Sequence, residues 1–329
     1  MKHLVDDYNR KINYLRLSVT DRCNLRCRYC MPEEGVEMIE HGDLLTYEEI
    51  NKVIKVFARN GISKVRLTGG EPLVRRGVVD LVKGIAKIEG IKDLSLTTNG
   101  VLLKEYVKAL AAAGLRRINV SLDTLHPDRF AYITRRDKFK EVWEGIETAL
   151  EYRLSPVKIN VVVMKGFNDD EIKDFARLSL TYPLHIRFIE FMPLGQATIW
   201  NGEGVIPSAQ IMEEIAEIGE LLPRGPEAND GPAKRYYLRG SAGEIGFISP
   251  ISSHFCARCN RLRLTPDGKI RTCLFSDEEI DLRGVLRASG DEEKIEDVLY
   301  QALQAKPEGH RIGDLRFKKC QRGMHAIGG

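Results

Sequence analysis

Six β-branched runs, at residues 14–20, 64–68, 93–98, 116–122, 157–164 and 184–191, punctuate the first two thirds of this chain. Between most of them lie amphipathic stretches: Tyr47 to Arg59, Val78 to Ile88, Lys104 to Ala113, Phe139 to Tyr152 and Asp169 to Leu180. Parallel strands need a crossover long enough for a helix, so this alternation reads as parallel βα units. No GxGxxG follows the first strand, and the regular units favour a barrel over a doubly wound sheet. Eight units close a barrel, so six predict an incomplete (βα)6 barrel of the TIM type within the α/β class.

The strand ends carry the polar residues. They read Thr20-Asp21, Thr68-Gly69-Gly70-Glu71-Pro72, Thr97-Thr98-Asn99-Gly100, Ser121-Leu122-Asp123 and Glu190-Phe191-Met192-Pro193. Any one of these serves as a helix cap or turn. Five together on one sheet predict a shared polar mouth at its C-terminal edge, where barrel folds build active sites.

Directly after the first strand stand Cys23, Cys27 and Cys30, a CxxxCxxC spacing. Three thiolates can hold a four-iron cluster while leaving one iron open to a small molecule. A zinc ion completed by a distant ligand uses the same thiols. A second group, Cys256, Cys259 and Cys273, lies beyond a stretch rich in proline and glycine, Leu222 to Pro232, which reads as a linker or long loop. The expected division is therefore 1–221 and 222–329. In the second part Lys234 to Arg239 and Glu244 to Ser249 read as strands, and Pro266-Asp267-Gly268 as a hairpin turn. If Thr265 pairs with Lys269, Arg263 lies opposite Arg271, and Arg261, Arg263, Arg271 and Cys273 share one face. Grouped guanidiniums repel one another unless an anion sits between them, and their forks suit phosphate oxygens. A zinc ribbon with His254 as fourth ligand is the structural alternative.

Composition narrows the setting. Fifty Lys and Arg against 47 Asp and Glu leave a net charge of +3, without the basic excess of nucleic-acid binders. There is no apolar run long enough for a membrane span and no signal-peptide pattern, so the expected location is the cytoplasm. Seven cysteines, six in two tight groups, favour metal binding over disulfides.

The runs Leu15 to Pro32 and Phe255 to Thr265, with Gly69-Gly70-Glu71 and the final Ile327-Gly328-Gly329, resemble the GTP 3′,8-cyclases of the radical S-adenosylmethionine (SAM) superfamily, over nearly the whole chain. The resemblance implies the radical SAM partial barrel with a C-terminal α+β extension, and the first step of molybdenum cofactor biosynthesis. It implies two [4Fe-4S] clusters, one at Cys23, Cys27 and Cys30 and one at Cys256, Cys259 and Cys273. SAM would meet Tyr29, Gly70, Ser121 and Met192. GTP would meet Arg16, Arg66, Thr97, Lys158, Arg187, Arg261, Leu262 and Arg263. Gly328 and Gly329 would reach into the active site. The implied partners are GTP, SAM, an electron donor and a downstream cyclic pyranopterin monophosphate synthase, with a homodimer as the assembly to test. A different radical SAM enzyme with an auxiliary cluster, such as a peptide modifier, is the alternative activity. Arg135-Arg136 departs from the family's Gly-Arg, a loop change expected to leave the chemistry untouched, and Cys320 is expected to be a lone thiol.

Overall fold

The computed structural model describes residues 4–192, 194, 204–225, 231–312 and 320–328. Strands β1 (Tyr14–Ser18), β2 (Lys64–Thr68), β3 (Asp93–Thr98), β4 (Arg117–Ser121), β5 (Val157–Val163) and β6 (Leu184–Glu190) pair in parallel in chain order. Helices α1 (Tyr47–Arg59), α2 (Val78–Ala86), α3 (Leu103–Ala112), α4 (Pro127–Thr134), α5 (Phe139–Glu151) and α6 (Ile172–Thr181) form the crossovers. The short α4 was not anticipated. Its segment carries Pro127 and Thr134 and lacks the long apolar period of its neighbours.

Helix α1 shows how local sequence builds these units. Thr46 and Glu49 form a reciprocal capping box, the Glu49 amide donating to Thr46 Oγ1 and the Thr46 amide to Glu49 Oε2. Ile50, Val53, Ile54 and Phe57 follow at helical spacing and are fully buried. Each such side chain contributes about 1.5–3 kcal/mol of burial.

The remainder of the chain joins the same sheet. After α7 (Ser208–Ala216) come β7 (Leu221–Pro223), β8 (Lys234–Leu238) and β9 (Glu244–Ile248), and β9 pairs in parallel with β6. Strand β10 (Arg261–Leu264) pairs in parallel with β1, and β11 (Lys269–Arg271) and β12 (Ile280–Asp281) extend that edge antiparallel. The strand order is β12-β11-β10-β1-β2-β3-β4-β5-β6-β9-β8-β7, so the sheet stays open, with C-terminal strands on both edges of the (βα)6 array. Helices α8 (Leu282–Ala288) and α9 (Glu292–Gln304) pack beside α1, and α10 (Met324–Ile327) ends the described chain. Among the described residues, no helix is long and apolar enough to cross a membrane.

The strands alternate strictly. Leu15, Leu17, Val65, Leu67, Leu96, Ile118, Val120, Ile159, Ile186 and Leu262 belong to the apolar core. The intervening positions hold Arg16, Arg66, Ser95, Asn119, Lys158, Arg187 and Arg263, nearly all buried as well. Register puts Arg16 between Arg66 and Arg263, and Lys158 between Asn119 and His185. The inner face is therefore a buried polar wall rich in cations.

Candidate active site between two groups of thiols

A cavity of about 310 Å³ runs along the inner face of the strands, and all six clustered cysteines line it, the first group beyond the C-terminal end of β1 and the second at the opposite end, where β10 starts beside Tyr14. The first three sit on the loop after β1, held from both sides. The C-terminal end of α4 takes it by the backbone: the Arg26 amide donates to Thr134 O and the Arg28 amide to Ile133 O, both at 2.9 Å. Arg135, with φ of 56°, sends its guanidinium to the carbonyls of Arg26 (2.8 Å) and Met31 (3.2 Å). Arg135, which stands where the family has Gly, thus grips the cysteine loop.

On the other side, Gly69 and Gly70 let the end of β2 press on the start of the loop. A Cβ on Gly69 would lie 2.6 Å from the Thr20 carbonyl oxygen, and one on Gly70 would run into that of Arg22. The Gly70 amide donates to Thr20 O at 2.7 Å and the Glu71 amide to Arg22 O at 2.8 Å. The double glycine serves close backbone packing as well as lining the cavity. Glu71, fully buried, accepts from Leu73 N, Thr98 Oγ1 and Asn99 N, and burial lifts its carboxyl to about 7.

These thiols are reluctant to ionise. Burial, then Glu71, raises Cys23 to about 11, and burial with Cys23 raises Cys30 to about 12. Cys27 is pushed up by burial and by both neighbouring thiols. In the second group burial raises Cys256 as well, but Cys259 differs. Against the effect of burial, Arg261 and Lys306 bring Cys259 down to about 6, and both the amide and the guanidinium of Arg261 donate to its sulfur.

The donor sets fit iron–sulfur clusters. Within each group the thiols act on one another electrostatically. Among the described residues, however, no three His, Cys, Asp or Glu side chains converge as a single metal ion requires. Three thiols so arranged suit a centre of several irons, each thiolate on a different iron. All seven cysteines are free thiols.

Tyr29, Gly70, Ser121 and Met192 all line the cavity on the side of the first group. Tyr29 donates its hydroxyl to Asp123 Oδ2 at 2.7 Å and meets Phe191 edge-on. Asp123 also accepts from Val162 N, and burial raises it to about 6. The other wall holds Arg16, Arg66, Thr97, Arg187, Arg261 and Arg263. Burial lowers Arg16 to about 10 and depresses Arg263 strongly, each further lowered by neighbouring cations. Buried Thr97 Oγ1, Asn160 Oδ1 and Tyr14 Oη have no hydrogen-bond partner among the described residues, although all three residues line the cavity.

Two residues expected at the site lie off its wall. Lys158 is buried in the barrel interior rather than on the cavity lining, where burial and then Arg187 lower its ammonium to about 5. Leu262 packs into the apolar core, because alternation turns it away from Arg261 and Arg263. A third expectation also needs correcting. Arg263 does pair with Arg271, but the Arg271 guanidinium is ion-paired with Glu279 and donates to Ser276 O and Cys320 Sγ, so its charge is met within the protein although its Nε has no partner among the described residues.

The chain's end returns to the cavity. The Asp277 carboxylate accepts from Cys320 Sγ and the Gln321 amide, and Arg322 binds Glu279 and Asp267. Beyond this anchor Met324 and His325 line the cavity, and the His325 amide reaches the Cys30 thiol. Gly328, at φ 73°, accepts a hydrogen bond from Arg263, and a Cβ there would run into Thr68 Oγ1. Gly329 lies outside the described residues.

Sequence reasoning passed over Tyr14 and Asn160, although they are in phase with Arg16 and Lys158 on their strands. It also passed over Arg10, Lys306 and His310, which arrive from distant loops with no local signal.

Two family models match the chain: one for the radical SAM superfamily over residues 17–179, and one for molybdenum cofactor synthesis C over 184–312. A GTP 3′,8-cyclase of Pelotomaculum thermopropionicum is 50% identical over 98% of this chain and 99% of its own length. One from Moorella thermoacetica is 51% identical over the same shares. The crystal structure of Streptococcus suis SuiB bound to S-adenosylmethionine shares the fold, with a TM-score of 0.65 at 14% identity, covering 91% of this chain and 69% of that one. With half its residues identical to such relatives from end to end, the chain belongs to the GTP 3′,8-cyclase family of the radical SAM superfamily.

Proposed function

We propose that this chain joins C3′ of the GTP ribose to C8 of its guanine, giving (8S)-3′,8-cyclo-7,8-dihydroguanosine 5′-triphosphate, the opening step of molybdenum cofactor biosynthesis. The observation that carries this reading is one cavity faced by two thiol groups, with a wall of guanidiniums between them. Cys23, Cys27 and Cys30 hold one [4Fe-4S] cluster, and Cys256, Cys259 and Cys273 the other. When bound, the first cluster and SAM supply the one-electron chemistry that a protein side chain cannot.

The protein's own work is positioning. Tyr29, fixed by Asp123, forms one side of the SAM pocket with Gly70, Ser121 and Met192. Arg16, Arg66, Thr97 and Arg187 hold the nucleotide from the strand ends, and Arg261 and Arg263 clasp it from the second group's side. Buried cations repel one another, and a triphosphate relieves that repulsion. Gripping the nucleotide at both ends aligns the ribose C3′ hydrogen with SAM, converting an encounter into a near-unimolecular step. Lys158, buried beside Arg187, acts on the charge of this wall, and Leu262 contributes only backbone. Gly328 brings the end of the chain into the site beside Arg263, and Gly329 is the residue that would reach in after it. Hydrogen-atom abstraction needs no general base, in keeping with the partners of Asp123 and Glu71, which are structural.

In this reading residues 1–221 form the radical-generating unit and 222–329 carry the second site. The enzyme takes its electron from an external donor, works in the cytoplasm, passes its product to cyclic pyranopterin monophosphate synthase and forms a homodimer. The test is anaerobic reconstitution with iron and sulfide, followed by SAM, a reductant and GTP. Deoxyadenosine formed in proportion to GTP consumed, with an isomer of GTP as product, is expected. SAM cleavage that leaves GTP untouched would overturn the proposal.

A further inference from the structure

The loop after α9 sends one lysine behind the second thiol group. Lys306 is 3% exposed. Its ammonium donates to the carbonyl oxygens of Arg261 and Thr272, both at 2.8 Å, and lies 3.7 Å from Cys259 Sγ. An ammonium has three donors and no acceptor, so these partners take its whole capacity. The two carbonyls flank the thiols: Arg261 stands two residues after Cys259, and Thr272 directly precedes Cys273. Lys306 therefore ties β10 to the chain leaving β11 at the end where their cysteines emerge.

The same loop secures the third cysteine through another residue. Arg10, ion-paired with Asp6 at 2.6 Å, donates to the carbonyls of Cys256 (3.0 Å), Pro307 (2.7 Å) and Glu308 (2.8 Å). Residues 306–308 thus act as a brace behind all three thiols. Only Lys306 reaches a sulfur atom from this brace.

Its charge has an unusual setting. Among the described residues no carboxylate pairs with Lys306, and the groups that act on it are Cys259 and Cys273 on one side and Arg10 and Arg261 on the other. An isolated buried cation is costly, and removing its counter-charge leaves that cost uncompensated. Thiolates at Cys259 and Cys273 are the anions that offset it. Hydrogen bonds and positive charge at cluster sulfurs favour the reduced, more negative state of the cluster.

We infer that Lys306 is a positioning residue of the second thiol site: it sets the separation of Cys259 and Cys273 and, through the Cys259 sulfur, raises the reduction potential of the cluster held there. This rests on the reading that the second group holds a cluster, and the experiment separates the two. Lys306→Met removes the charge at similar volume, and Lys306→Arg keeps it. Each is made in the full chain with Cys23, Cys27 and Cys30 changed to Ala, so that any paramagnetic signal comes from the second group.

After anaerobic reconstitution, reductive titration is followed by EPR. At the parent midpoint, the ratio of reduced to oxidised cluster is expected to fall about tenfold in Lys306→Met, about 59 mV for one electron, and by less than about threefold in Lys306→Arg. Equal midpoints in parent and Lys306→Met overturn the inference. If Lys306→Met takes up no cluster, uptake in Lys306→Arg with the parent midpoint upholds it, and loss in both variants overturns it. A parent chain that shows no iron–sulfur signal defeats the cluster reading itself, and the inference with it.

Discussion

The two thiol groups face one cavity from opposite electrostatic surroundings. The first lies beside Glu71 and Asp123, and burial with these carboxylates drives its thiols upward. The second lies beside Arg261, Lys306 and Arg10, and Cys259 falls to about 6 despite burial. One polypeptide thus buries carboxylates at one end of a single cavity and cations at the other, beside otherwise similar groups of cysteines.

The sharpest way to break this comparison is to remove one end. Cys23→Ala should abolish SAM cleavage outright and lower bound iron by about four per chain, the content of one [4Fe-4S] cluster. Iron analysis and deoxyadenosine formation check it. If the second group's iron is lost as well, the two ends are not independent. A smaller effect is expected of Arg263→Ala, which removes a buried charge-assisted donor of about 1.5–3 kcal/mol, or roughly ten- to a hundredfold in kcat/KM for GTP. The first group's iron should be unchanged. The smallest effect concerns Arg135→Gly. Relief of the left-handed backbone gains about 1–2 kcal/mol, and losing two hydrogen bonds to carbonyls costs a similar amount. Thermal unfolding should therefore barely shift, while a chelator strips iron from the first group faster and from the second at the original rate. Equal stripping at both would show that the α4 grip is not particular to the first loop.

Much of this arrangement was legible beforehand. The first six strands were found within about two residues at their boundaries, because β-branched runs and period-2 alternation are local properties. The same alternation predicts that Arg261 and Arg263 share a face, and both line the cavity while Leu262 between them packs in the core. It failed for Arg271, whose face was right but whose charge is met by Glu279, a partner eight residues on that no spacing rule identified. Lys158 has the expected phase on β5 and is level with Thr97, but is buried beside Arg187 and not among the residues that line the cavity.

Taken alone, the sequence determined the parallel βα units, the polar phase of their inner face, and two triplets of thiols with spacings suited to a cluster. Each follows from residues close together in the chain. Tertiary structure decided where the second triplet stands. Strand β10 pairs with β1 across some 245 residues of chain, and its parallel register sets the second triplet at the opposite end of the same cavity from the first. It also decided which charges surround each triplet: Arg10 enters from before the first strand, Lys306 from after α9, and the tail from beyond the last anchor. Long-range strand pairing and the partners of long charged side chains depend on what else is buried nearby. That information is spread over the whole chain and carried by no single stretch of it.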